Sequence, residues 1–153
     1  MTIDDRLAEL GLTLPAAAAP VAAYVPAVEE GGLLYLSGQL PFSNGALMEG
    51  RLGENRDIPF GQDAARACAL MILAQVKKTV GSLDRVKRIV KLGVFVNSAG
   101  SFTDQPKVAD GASTLMADVF GEAGRHARAA VGVPTLPLGA AVEIDAVIAL
   151  KDA

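Results

Sequence analysis

The chain has 153 residues, one ordinary domain's worth. Hydrophobic residues make up 51% and charged residues 20%, which provides for a packed core and excludes a disordered chain. Seventeen acidic against fourteen basic side chains give a net charge of −3, a poor basis for an electrostatic grip on nucleic acid.

In chain order, Asp4 to Leu10 reads as a short helix with Thr2 or Asp4 as its cap and Gly11 as its stop. Pro15 to Pro20 is an Ala/Pro connector, so residues 1–20 form an N-terminal extension of a single domain spanning 1–153. Val21 to Val28 reads as a strand interrupted by Pro26. Glu29-Glu30-Gly31-Gly32 is a turn, and Leu33 to Ser37 is a short buried strand bounded by Gly38. Asn44-Gly45 carries a hairpin signal, and a polar loop covers Glu49 to Asp57. The strongest helix runs from about Pro59 to Val80, with Phe60, Ala64, Ala67, Cys68, Met71, Ile72, Gln75 and Val76 at helical spacing and Gly81 as stop. Val86 to Val96 is a long β-branched strand. Phe102 to Phe120 holds a second helix that starts after Pro106, and Gly121 to His126 is a loop. Ala129 to Val133 and Ala141 to Leu150 are the last strands; Val142, Ile144, Ala146 and Ile148 mark one apolar face of the final one. This order gives an α+β fold with helices packed on one face of a mixed sheet.

The single cysteine, Cys68, excludes an intrachain disulfide and a cysteine zinc site, and its place on the helical stripe makes it a core residue. The single histidine, His126, excludes two-histidine metal spacings. No apolar run approaches the roughly 20 residues that cross a bilayer. The start of the chain is polar and acidic, so the expected compartment is the cytoplasm. The absence of Trp and the 5% aromatic content leave few base-stacking platforms. A mean hydropathy of +0.35 points to apolar surface covered by another copy of the chain. No glycine-rich phosphate loop or nucleophile elbow is present.

The groups left for chemistry are Arg128 and Glu143. Arg128 lies at a loop-to-strand junction inside the apolar stretch Ala127 to Val133, where a guanidinium needs an anion partner. Its planar fork matches a carboxylate. That anion is either a small ligand or an internal acid, Glu143 or Asp145, in a structural ion pair at a subunit contact. Ser37 reads as a strand-end hydrogen bonder and Arg125 as a surface charge; His126, two residues before Arg128, either faces a cleft or, the simpler reading, is a solvated loop residue.

Three stretches give the chain a family resemblance over about Val21 to Leu150. They are Leu36-Ser37-Gly38-Gln39-Leu40-Pro41; Val94-Phe95-Val96 followed by Phe102; and Arg128 to Val133 with Leu136-Pro137 and Val142-Glu143-Ile144. The sequence resembles the RidA (YjgF) family of reactive-intermediate deaminases, also labelled endoribonuclease L-PSP. The resemblance implies a chorismate-mutase-like fold with two helices on one face of the sheet. It implies a homotrimer with a barrel-like core and clefts between subunits. It also implies hydrolysis of enamines and imines such as 2-aminoacrylate to 2-keto acids and ammonia, without metal or organic cofactor.

By the same resemblance, Arg128 holds the substrate carboxylate and Glu143 the attacking water. Substrate contacts come also from Ser37 and Gly38, the latter through its backbone, from Tyr24, which closes the cleft from a neighbouring subunit, and from Ala130, which replaces a common cysteine and makes its contact through the backbone. The segment Asn97 to Gly111 is longer than usual, Ser113 is the nearest counterpart of a common asparagine, and His126 stands where proline is common. Three functions are compatible with the resemblance: an imine deaminase, a non-catalytic trimeric binder of small carboxylates or 2-keto acids, and an endoribonuclease. The acidic charge balance argues against the last.

Overall fold

The computed structural model describes residues 1–20 and 22–153. Its centre is a five-stranded sheet built from β1 (Ala27–Glu30), β2 (Leu33–Gln39), β5 (Val86–Asn97), β6 (Ala127–Val133) and β7 (Val142–Leu150), in the spatial order β1-β2-β7-β5-β6. Neighbours are antiparallel except β5 and β6, which are parallel. Parallel strands need a crossover. Here that crossover contains α3 (Gln105–Phe120). A small hairpin of β3 (Phe42–Ser43) and β4 (Ala46–Leu47) turns at Asn44 and Gly45, both with positive φ, as Asn-Gly favours.

The period of two in β7 decides the layering. Val142, Ile144, Ala146 and Ile148 are buried, while Glu143, Asp145, Val147 and Ala149 are only partly covered. On the same face as the first set, Leu92, Val94 and Val96 of β5 pack under α2 (Ile58–Val80) and α3. The other face carries no layer of its own. Val28, Tyr35 and Val131 lie there with 50%, 47% and 46% exposure, large apolar side chains left open to solvent in one chain.

The mixed sheet with two long helices on one face is as expected, with a third short helix, α1 (Ile3–Glu9), packed on α3. Thr2 caps α1 in a reciprocal box with Asp5. Helix α2 starts one residue before Pro59, capped by Asp57, and stops at a left-handed Gly81. Cys68 is fully buried on it, as a core residue should be.

Several boundaries differ from the sequence expectations; Glu29 and Glu30, expected as turn, close β1 against Leu34 and Leu33, and four further differences have a clear local reason. Val21 lies outside the described residues, and β1 forms only after Pro26, which lacks an N–H for the ladder; its carbonyl accepts from the Ser37 N–H instead. Strand β2 runs through Gly38 to Gln39, with an irregular register absorbing the glycine. Helix α3 starts at Gln105 and includes Pro106, since a first-turn proline forfeits only an N–H that has no helical partner. Strand β6 begins at Ala127, paired with Lys91, so Arg128 is within the strand rather than at its edge.

The two long helices cross closely where Gly111 meets the backbone carbonyl of Gln62, with no room for a Cβ. Gly111→Ala is therefore expected to lower the unfolding free energy by about 1–3 kcal/mol in urea denaturation. Gly100→Ala, facing open space, should change it by no more than about 0.5 kcal/mol.

Candidate functional site

Arg128 is paired with Leu92 and thereby stands on the helix-covered face of the sheet. Because β6 is an edge strand, the side chain reaches past the sheet to the flank of α3. Its Nη1 donates to Asp110 Oδ1 at 2.8 Å and to Ser113 Oγ at 3.1 Å. Asp110 and Ser113 are three residues apart, hence on one stripe of the helix. The pair is at the rim, with 23% of the Arg128 side chain and 59% of the Asp110 side chain exposed. An ion pair so wet contributes about 1 kcal/mol or less. Among the described residues only Nη1 of the guanidinium is engaged, so the rest of the fork remains available to an anion.

Beside this group is a cleft of about 240 Å³ lined by Ser113, Ala117, Gly124, Arg125, His126 and Arg128. Gly124 lets its turn pass against the Met116 carbonyl, where a Cβ would collide. Arg88 Nη2 on β5 donates to the Arg125 carbonyl at 2.6 Å and ties the same segment to the sheet. His126 lies 3.0 Å from the Ala127 carbonyl through Nδ1. A carbonyl only accepts, so Nδ1 carries the hydrogen and the neutral ring keeps its lone pair on Nε2. Burial lowers the His126 pKa below its usual value, and the nearby Arg128 cation adds to the effect against the opposing pull of the carbonyl.

Glu143 stands on the other face of the sheet. It pairs with Phe95, which pairs with Val131, three residues along β6 from Arg128. That is roughly 10 Å along the strands, in addition to the thickness of the sheet. The missing side chain of Gly38 makes room for the Glu143 carboxylate, and Gly93 does the same for Asp145. Among the described residues neither acid has an ion-pair partner. Burial raises the Glu143 pKa, and the Asp145 charge raises it further.

One chain thus brings Gly38 and Glu143 together and keeps both from Arg128. The internal partner of Arg128 is Asp110 on α3, neither Glu143 nor Asp145. The reason is alternation: residues of opposite parity on aligned strands cannot share a face. Ser37 Oγ donates to the Val25 carbonyl, the strand-end bond expected of it. Tyr24 and Gly38 line a separate small cavity of about 100 Å³ together with the buried Gln39 and Gln75. Ala130 is half-buried on the helix-covered face, aligned with Val94. The Cys68 thiol, its pKa pushed up by burial, donates to the Val142 carbonyl and belongs to the core.

Residues 4–149 match the family model described as "YjgF/chorismate_mutase-like, putative endoribonuclease". The chain belongs to the YjgF/RidA family. Among curated YjgF relatives, protein TCP17 of Trypanosoma cruzi is 56% identical over 96% of this chain and 93% of its own length. A Shewanella oneidensis crystal structure described as a "putative endoribonuclease" superposes with a TM-score of 0.95 at 37% identity, covering 98% of this chain and 100% of that one. The 2-iminobutanoate/2-iminopropanoate deaminase of Dermatophagoides farinae is 29% identical over 92% of this chain and 95% of its own. The YjgF fold, an α+β sandwich with a mixed sheet, is therefore shown for this chain. Among its described residues no group of three or more side chains could ligate a metal, and no helix is long and apolar enough to cross a membrane.

Asp110 is not marked out in the sequence as a member of this site; His126, two residues before Arg128, is, although a solvated loop position is the simpler reading of it. The available signal was the row Asp110, Ser113, Ala117, small or polar residues beside the apolar stripe of α3. For His126 it was the two-residue spacing to Arg128, which puts both on one side of extended backbone.

The raised Glu143 pKa has a stability consequence. Its stabilising contribution is fully present below the unfolded carboxylate pKa and is lost as pH rises through the higher folded value. Glu143→Gln is therefore expected to raise Tm relative to the parent chain more at pH 7 than at pH 4, as read by circular dichroism melts.

Proposed function

We propose that this protein hydrolyses small 2-imino acids to 2-keto acids and ammonia, with Arg128 gripping the substrate carboxylate. The observation carrying the reading is the Arg128 fork, held by one nitrogen and otherwise free at an open cleft. The reaction is R–C(=NH2⁺)–COO⁻ + H2O → R–CO–COO⁻ + NH4⁺. An imine carbon beside a carboxylate is already electrophilic, so a protein accelerates the step by fixing the anion and placing water, without a covalent intermediate. The deaminase from Dermatophagoides farinae supports the substrate class.

Glu143 enters this scheme as the group that orients the water, from the bare face of a neighbouring copy. The exposed apolar residues Val28, Tyr35 and Val131 on the bare face support assembly into a homotrimer with clefts between copies. In that arrangement Tyr24, Gly38 and Ser37 belong to the Glu143 wall, and Ala130 to the Arg128 wall.

A second reading, a binder of small carboxylates without turnover, draws on the separation of Arg128 from Glu143 within one chain. The endoribonuclease reading is supported only by the wording attached to relatives.

The test generates an imine in situ with an amino-acid oxidase and follows its loss to a semicarbazide trap. The parent protein is expected to outcompete the trap, and Arg128→Ala to abolish this while sedimenting as the same oligomer. A Tm increase with 2-oxobutyrate but no acceleration would establish the binder; neither effect would refute both readings.

A further inference from the structure

The reaction proposed above requires a proton to leave the adding water and another to reach the departing nitrogen. Among the described residues of this chain that line the Arg128 cleft, His126 is the group of ordinary proton-transfer chemistry. It lies two residues from Arg128 on extended backbone, so both side chains project to the same side. The Ala127 carbonyl occupies Nδ1 and fixes the tautomer, leaving Nε2 as the acceptor. A substrate whose carboxylate lies on Arg128 thus meets a neutral imidazole in the same cleft. Glu143 of the same chain is on the opposite face of the sheet.

We infer that His126 is a catalytic residue of the Arg128 cleft, relaying a proton from the water that adds to the nitrogen that leaves. This rests on the deaminase reading. In the first half, Nε2 takes a proton as the water oxygen bonds to the imine carbon and the C=N π pair moves to nitrogen. In the second, the imidazolium returns that proton to the amino group of the carbinolamine. The hydroxyl oxygen then forms C=O as the C–N bond breaks, its proton leaving with the nitrogen as ammonium. No oxidant or other reactant is needed.

The charged groups around the ring decide the direction of its titration. Arg128 and Arg125 flank it along the chain, Arg88 reaches the same segment from β5, Asp110 faces Arg128 from α3, and Glu122 pairs with Arg125 at 3.3 Å on the solvent side. Cations outnumber acids, and burial acts in the same direction, so the ring remains neutral at pH 7. The relay works only from the neutral form. Activity should therefore rise with pH through the His126 titration, which burial shifts below its ordinary value.

The test compares His126→Gln and His126→Asn with the parent protein in the oxidase-coupled assay across pH 5–8, and measures 2-oxobutyrate affinity by calorimetry. The expected result for both variants is a fall in kcat of about 100-fold or more with loss of the acid limb of the pH profile. KM and keto-acid affinity should remain within about threefold, since Arg128 is intact. Asparagine retains a donor for the Ala127 carbonyl, so a merely structural role predicts near-parental kcat for His126→Asn, and that result overturns the relay. Parental kcat in both variants overturns it too and leaves the deaminase reading standing. A parental protein with no acceleration of imine loss refutes the reading and the relay together.

Discussion

The five-stranded sheet is covered by helices on one face only, and the rest of the molecule depends on that asymmetry. Alternation along β5, β6 and β7 assigns each side chain to a dry side under α2 and α3 or to a side with no layer of its own. Arg128 falls on the first and escapes burial because β6 is an edge strand, from which its long stem reaches the flank of α3. Glu143 falls on the second, seated over Gly38, with no cation to answer it among the described residues. A guanidinium and a carboxylate that spacing alone suggests as partners are thereby kept apart by the thickness of a sheet.

Most of the fold was legible in the sequence because its elements carry strong local chemistry. Helix α2 has an uninterrupted apolar stripe, a capping aspartate and a left-handed glycine, and both ends came within a residue or two. The Asn-Gly turn and the alternation of β7 were equally direct. The misplaced boundaries are those where tertiary context overrides local signal. Gly38 resembles a strand end until the Glu143 side chain that needs its missing Cβ is brought beside it. Ala127 and Arg128 resemble loop until β5 offers a ladder to pair with.

The candidate site was legible in its residue types and not in their pairing. The types Arg128 and Glu143 stand out against an apolar background, but which face each occupies depends on register, and register is a property of pairs of strands. Asp110 was invisible for a different reason: an exposed acid on a helix is ordinary until the residue opposite it is known. Held by Asp110 and Ser113, the guanidinium is already oriented, so the arginine would give up less side-chain freedom to an anion than a free one would.

The strand order also bears on how the sheet comes to exist. Strand β7 lies between β2 and β5, so neither acquires its inner neighbour until residues 142–150 are available. Leu34 then meets Ile148 across more than a hundred residues of intervening chain. Closing so long a loop is entropically slow, and contacts of this separation are associated with sluggish folding. During synthesis the nascent polypeptide can dock α3 and pair β5 with β6 early, while the flanking strands wait with open edges. That interval, more than the finished molecule, is when the chain is vulnerable to self-association and would gain most from a chaperone.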